Sequence, residues 1–260
     1  MTRPNQPPGL PVPSWLSTLE HNLADNERLH QTVAVRPGRG GRPSAVLILI
    51  GGADLATAQL LFIERASTMR NHAGQIALPG GGADPGDVGL AGTALREAAE
   101  ETGLDPGGVT VLGSLPPAHV AVSGFDVTAV VGWWAGPTPV GAQDPAEVAA
   151  VHTVPIARLM DPANRVTVRH PSGYTGPAFA VSTAADGAGR SGPQSDTLFI
   201  WGLTAHLVDA VADLAGWNRA WDRTVTAEVP QRFLRDRRAT PQSPSRSGQP
   251  AYRTGRLDGY

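Results

Sequence analysis

The chain has 260 residues, enough for one domain with terminal extensions and short for two. It contains no cysteine, and all 21 of its basic side chains are arginine, so disulfides, thiolate metal centres, thiol nucleophiles, Schiff-base lysines and a lysine-bearing phosphate loop are excluded. A formal net charge of −2 gives no reason to expect a nucleic-acid partner, and 31 glycines with 24 prolines announce a loop-rich chain.

Residues 1–13 are rich in proline and read as an extended arm. Ser14 can cap a helix running to about Leu29, with Trp15, Leu16, Leu19 and Leu23 as its apolar stripe. The stretch 36–43 reads as a loop. AVLILI (45–50) and LLFIE (60–64) read as strands around a glycine-rich turn. The Ala-rich segment from Leu90 to Thr102, stopped by Gly103, reads as a helix. Strands are expected at 109–115 and 127–134, then a less regular middle, then TLFIW (197–201) before a helix over 203–214. This divides the chain into an arm with a short helix (1–35), a mixed α/β domain (36–223) and a basic tail (224–260). No apolar run reaches the roughly 18 residues of a membrane span, and the start lacks a signal-peptide core, so a cytoplasmic protein without membrane partners is expected.

The chemistry concentrates in one helix. Of eight glutamates, three (Glu97, Glu100 and Glu101) fall within five residues, and at about 100° per residue they share one helical face. Like charges at that spacing destabilise a helix by roughly 0.2–0.5 kcal/mol per pair, and the last two sit where the dipole disfavours anions. Arg96 is the only cation nearby. A divalent ion is the natural compensator, and carboxylate oxygens suit Mg²⁺ or Mn²⁺ with room left for water and a phosphate. The plainer alternative is a solvated acidic face. Ahead of the helix lies PGGG (79–82), either a tight turn or a backbone able to aim a carbonyl at the same metal.

GGADPGDVGLAGTALREAAEETGL resembles the Nudix box, a glycine, a spaced acid, then Arg-Glu-aliphatic-any-Glu-Glu-any-Gly-aliphatic. Arg96, Glu97, Ala98, Glu100, Glu101, Gly103 and Leu104 match the second half. Counted from Gly81 the first acid falls on Asp87 with one extra residue before Arg96; counted from Gly82 the spacing is regular but Val88 takes the acid position. The expansion resembles the coenzyme A pyrophosphatase branch. So does LLFIERASTMRNHAGQIALPGG (60–81), which carries that branch's upstream signature through Arg65, Arg70, Gly74, Gln75 and Pro-Gly-Gly, with Leu78 in place of the usual phenylalanine. The likeness runs from about Ala45 to Trp217.

The resemblance implies an α/β/α sandwich with a mixed β-sheet. It implies hydrolysis of a nucleoside diphosphate derivative with Mg²⁺ or Mn²⁺ as cofactor, Glu97 and Glu101 as main metal ligands, Glu100 adding to the site and the Gly81 carbonyl as a further ligand. Arg96 would hold the glutamates in register, and Glu147 would serve as base or extra ligand, unless it is a surface residue capping a turn. Arg65, Arg70 and His72, with Gln75, read as substrate-binding residues; surface ion pairs are their plainer alternative. The expected substrate is coenzyme A or a derivative, cleaved to 3′,5′-ADP and phosphopantetheine. ADP-ribose, a dinucleotide or a non-catalytic nucleotide sensor are the alternatives, and a homodimer is compatible with all of them. His119, His152 and His206 receive no role.

Overall fold

The structure is a computed structural model that describes residues 11–33, 38–69, 71–121, 123–136, 138–182 and 197–234. In chain order it contains α1 (Ser17–Ala24), α2 (Asn26–Thr32), β1 (Arg42–Gly51), β2 (Gln59–Arg65), β3 (Ile76–Ala77) and β4 (Gly80–Gly82). Then come α3 (Gly89–Thr102), β5 (Val109–Ser114), β6 (Ala118–Val120), β7 (Phe125–Trp134), β8 (Val148–Pro155) and α4 (Ile156–Leu159). The last are β9 (Arg165–Arg169), β10 (Thr175–Ser182), β11 (Thr197–Ile200), α5 (Gly202–Ala215) and β12 (Thr226–Glu228). Residues 1–10 and 235–260 lie outside the described chain, as does Arg70.

Among the described residues β1 is the spine of a large mixed sheet. It runs parallel to β7 over its whole length, from Arg42↔Phe125 to Gly51↔Trp134. On its other edge it pairs antiparallel with β2 at one end and with β4 at the other. Its run of β-branched and leucine side chains is buried on both faces, as a central strand requires. One face (Leu47, Leu49, Val130, Trp134) meets Ala94 and Ala98 of α3, both fully buried. The other face (Ile48, Ile50, Phe62, Val131) meets α1, α5 and the inner side of a second sheet ordered β11-β10-β9-β12. Helix, mixed sheet and helix thus form the expected sandwich. No described helix is long and apolar enough to cross a membrane.

Four expectations need correcting. The helix read over 14–29 breaks at Asp25, whose carboxylate accepts from the Glu27 and Arg28 N–H groups and starts α2. These helices are not a detached arm: Leu16, Leu19 and Leu29 join the main core, and Asn22 donates to the Leu214 carbonyl at 2.6 Å. The expected tail boundary at 224 also falls inside folded chain. Thr226–Glu228 pairs in parallel with β9, and Val229 and Phe233 are buried with Val168, Ala178 and Phe199 in a third apolar cluster. The exposed edge of β9 supplies the backbone partners that composition alone did not reveal. The irregular middle is in fact β8, β9 and β10.

Buried Arg165 joins α5 to the second sheet. It pairs with Asp209, donates to Asn218 at 2.6 Å, and stacks between Phe179 and Trp221.

Candidate active site

Helix α3 is stopped by Gly103 in the left-handed conformation (φ 71°), whose N–H bonds the Ala99 carbonyl. The loop before β8 then caps the remaining carbonyls: Gly141 N–H reaches Thr102 and Gln143 N–H reaches Glu101. A helix carrying glutamates in its last turn is therefore pinned at the end where the dipole opposes them.

Arg96 is the hub of the helix's exposed edge. Its Nε lies 2.9 Å from Asp87, one terminal nitrogen donates to the Gly82 carbonyl at 3.1 Å, and the other lies 3.1 Å from both Glu97 and Glu100. Asp87 also accepts from the Thr93 hydroxyl and the Asp84 N–H. The hydrogen bond from Arg96, helped by these partners, holds the Asp87 carboxyl well below the usual carboxylate range, and Asp87 in turn raises Arg96. Val88, the competing candidate for the first acid position, is 90% exposed. The extra residue in the box is thus absorbed by the turn Asp84–Asp87, and the acid that meets Arg96 is Asp87. Thr93, which orients it, carried no signal in the sequence beyond its spacing from Asp87.

Glu97 and Glu101 face the sheet. A Cβ on Gly81 would fall 2.5 Å from the Glu97 carboxylate, so only glycine leaves room for it there. Burial raises Glu97, against the pull of Arg96. Glu101 is 9% exposed and accepts the Gly80 N–H at 2.9 Å. Burial pushes it up to about 7 despite that bond and the nearby Arg65 charge, and the Glu97 and Glu147 charges add to the rise. Glu100 is largely exposed.

The upstream signature reaches the same place through the sheet. Arg65 pairs with Val148 after a register shift at Glu64/Arg65, and the Ala66 N–H bonds the Glu147 carbonyl at 2.8 Å. This sets Arg65 and Glu147 near Glu101, and the Arg65 Nε is buried without a hydrogen-bond partner among the described residues. His72 and Gln75 occupy the turn after β2, their side chains 3.3 Å apart. Of the three histidines given no role, His119 bonds Asp126 at 2.7 Å, His152 bonds Glu64 at 3.2 Å, and His206 lies edge-on to Tyr174.

The donor set fits a hard divalent cation, being carboxylates crowded enough to raise one another, beside a backbone that only glycine can supply. Among the described residues no three acidic or histidine side chains are gathered into a metal cluster, and Arg96 engages both Glu97 and Glu100.

The family profile of the NUDIX domain matches residues 41–172. The "Uncharacterized Nudix hydrolase NudL" of Cronobacter sakazakii is 48% identical over 101 residues, 39% of this chain and 52% of that protein. Its counterpart in Citrobacter koseri is 34% identical over 171 residues, covering 66% and 81% of the two chains. The match spans only about half the length of the Cronobacter protein and of its counterpart in Pectobacterium atrosepticum. Among solved structures, a MutT/nudix family protein from Enterococcus faecalis aligns over 78% of this chain and 74% of its own at 15% identity and a TM-score of 0.40. The chain belongs to the Nudix family.

Proposed function

We propose that this protein is a Nudix hydrolase that cleaves the diphosphate of coenzyme A or a CoA derivative, releasing 3′,5′-ADP and phosphopantetheine. One observation carries the reading: β2–β8 pairing brings Arg65, from the CoA-type signature, to Glu101 of the glutamate helix and to Glu147. A substrate signature and a metal-type carboxylate set that are separated in sequence share one locus.

In this reading Glu97 and Glu101 hold Mg²⁺ or Mn²⁺, with Glu100 and the Gly81 carbonyl in support. Held there, such an ion would neutralise phosphate oxygens and lower the pKa of a water. Arg96, anchored by Asp87, keeps the glutamates in register. Water forms the new bond to phosphorus, the bridging P–O bond breaks, and Glu147 accepts the water's proton. Arg65 offers its unpaired Nε–H to a substrate oxygen. Arg70, outside the described residues, is proposed with His72 and Gln75 to read the rest of the anion.

The test is a turnover panel of CoA, dephospho-CoA, ADP-ribose, NADH and ATP with Mg²⁺ or Mn²⁺. CoA is expected to lead. Arg65→Ala is expected to shrink the preference for CoA over dephospho-CoA about tenfold, as for loss of one charge-assisted bond. Equal kcat/KM for CoA and dephospho-CoA in the wild type, or faster cleavage of ADP-ribose, overturns the CoA reading and leaves family membership intact. Binding without turnover identifies a sensor instead.

A further inference from the structure

The turn between β2 and β3 has an unusual backbone. His72 adopts φ 56°, the only non-glycine residue with positive φ among those described, and Gly74 follows at φ 66°. A left-handed β-carbon-bearing residue is held there only where its surroundings overdetermine it. Part of the restraint is local. Gly74 N–H bonds the Arg65 carbonyl, Arg65 N–H bonds the Gln75 carbonyl, and Gln75 N–H bonds the His72 carbonyl.

The rest comes from far along the chain. β12 lies against β9, the Val229 N–H bonds the Arg169 carbonyl, and Val229 is buried. The chain then turns, with Phe233 N–H on the Pro230 carbonyl, and sets the Phe233 ring 3.9 Å from where a Gly74 Cβ would lie. Phe233 is 6% exposed and carries the Arg232 guanidinium over its outer face at 4.6 Å. This strap lies outside residues 41–172, the span of the family match.

We infer that Phe233 is a positioning residue: its ring stands a methyl group's width from Gly74, limits how far the His72–Gln75 turn can relax from its left-handed form, and so keeps both side chains aimed at the anionic end of the substrate. The inference rests on the function proposed above only for the substrate; the bracing itself is a property of the fold. It explains why a strained turn persists at an exposed position, and why the chain folds on past β12. Ground-state aim, rather than the chemical step, is what such bracing sets.

Phe233→Ala is expected to raise KM for CoA roughly tenfold with kcat within about twofold, and Phe233→Leu to raise it about two- to threefold. Hydrogen exchange at the Gly74 and Gln75 amides is expected to quicken about tenfold in Phe233→Ala while the β9 amides keep their protection. Unchanged exchange at Gly74 overturns the inference. So does a fall in kcat that tracks lost folded protein while KM stays at the wild-type value. If Phe233→Ala does not fold, Phe233→Leu decides, and a wild-type KM there is a negative result. If the wild type cleaves no CoA, the substrate reading fails, and amide exchange alone judges the bracing.

Discussion

Replacing Glu101 by Gln is expected to make the metal-free protein more stable while disabling it. Glu101 is buried, and its carboxyl is raised from the ordinary 4.5 to about 7. A carboxyl raised so far disfavours its ionised form in the fold by up to about 3 kcal/mol at a pH above 7, since each tenfold change in proton affinity is worth about 1.4 kcal/mol. The sign follows from the direction. Between 4.5 and about 7 the folded chain binds the proton that the unfolded chain has released, so stability falls as pH rises through that window and is lowest above it. Glutamine carries no charge, and its amide oxygen can still accept the Gly80 N–H. Some of the gain is lost with the attraction of Arg65, leaving roughly 1–3 kcal/mol, or about 2–4 °C in Tm per kcal/mol for a chain of this size. The assay is differential scanning calorimetry of both proteins in chelator at about pH 5 and about pH 8. The variant should melt higher at the alkaline value and nearly level with the wild type at the acid one. Millimolar Mg²⁺ should then raise the wild type more than the variant. A variant no more stable than wild type at the higher pH, or an advantage independent of pH, refutes the account of Glu101 as a strained, buried carboxylate.

Glu97→Gln should lower kcat by orders of magnitude at saturating Mg²⁺ with its circular dichroism unchanged, and near-normal turnover would refute its assignment as a metal ligand. Gly81→Ala should mimic that loss of turnover, because its methyl would occupy the space of the Glu97 carboxylate; full activity in Gly81→Ala means the carboxylate acts from elsewhere. Asp209→Ala should destabilise the fold by about 3–5 kcal/mol in urea melts by leaving the Arg165 charge buried, whereas a cost under about 1 kcal/mol would show that Asn218 and the flanking rings suffice. Removing 235–260 should leave hydrolysis intact, but truncation after Pro230 should cost about 3–5 kcal/mol with the buried Phe233 ring; equal melting of the two truncations would count against that.

The glutamate helix was legible because its signals are local: an alanine-rich face, three carboxylates on one side and a glycine stop, which became α3 within one residue of the expected start. Asp87 was legible as a candidate by its charge, but choosing it over Val88 needed the turn that brings it back to Arg96. β8 escaped notice because an edge strand with half-exposed positions such as Val151 and His152 has no clean alternation. β9 begins with Arg165, a charge no hydropathy pattern would bury, and its partners Asp209 and Asn218 lie more than 40 residues away. β12 is three residues long and exists only because β9 offers it an edge. The nearness of Arg65 to Glu147 depends on strand pairing across a bulge, which no local pattern encodes. The tail boundary placed at 224 passed over Phe233 for the same reason, since its buried neighbours Val168, Ala178 and Phe199 lie far back along the chain.

The alanines of α3 carry a consequence for how this site can change over generations. Ala94 and Ala98 are fully buried against the sheet, so the methyl group sets how near the helix axis lies to β1. A bulkier side chain at either position would lift Glu97 and Glu101 together, as one rigid body, away from Gly80 and Gly81. The spacing between carboxylates and glycine backbone is therefore a single adjustable dimension governed by residues that never touch a ligand. If the proposed metal role holds, drift at these two positions would alter which ion radius the site accepts while every acidic residue is retained. A library varying Ala94 and Ala98 among Gly, Ala, Ser and Val would explore metal preference more finely than replacement of the glutamates themselves.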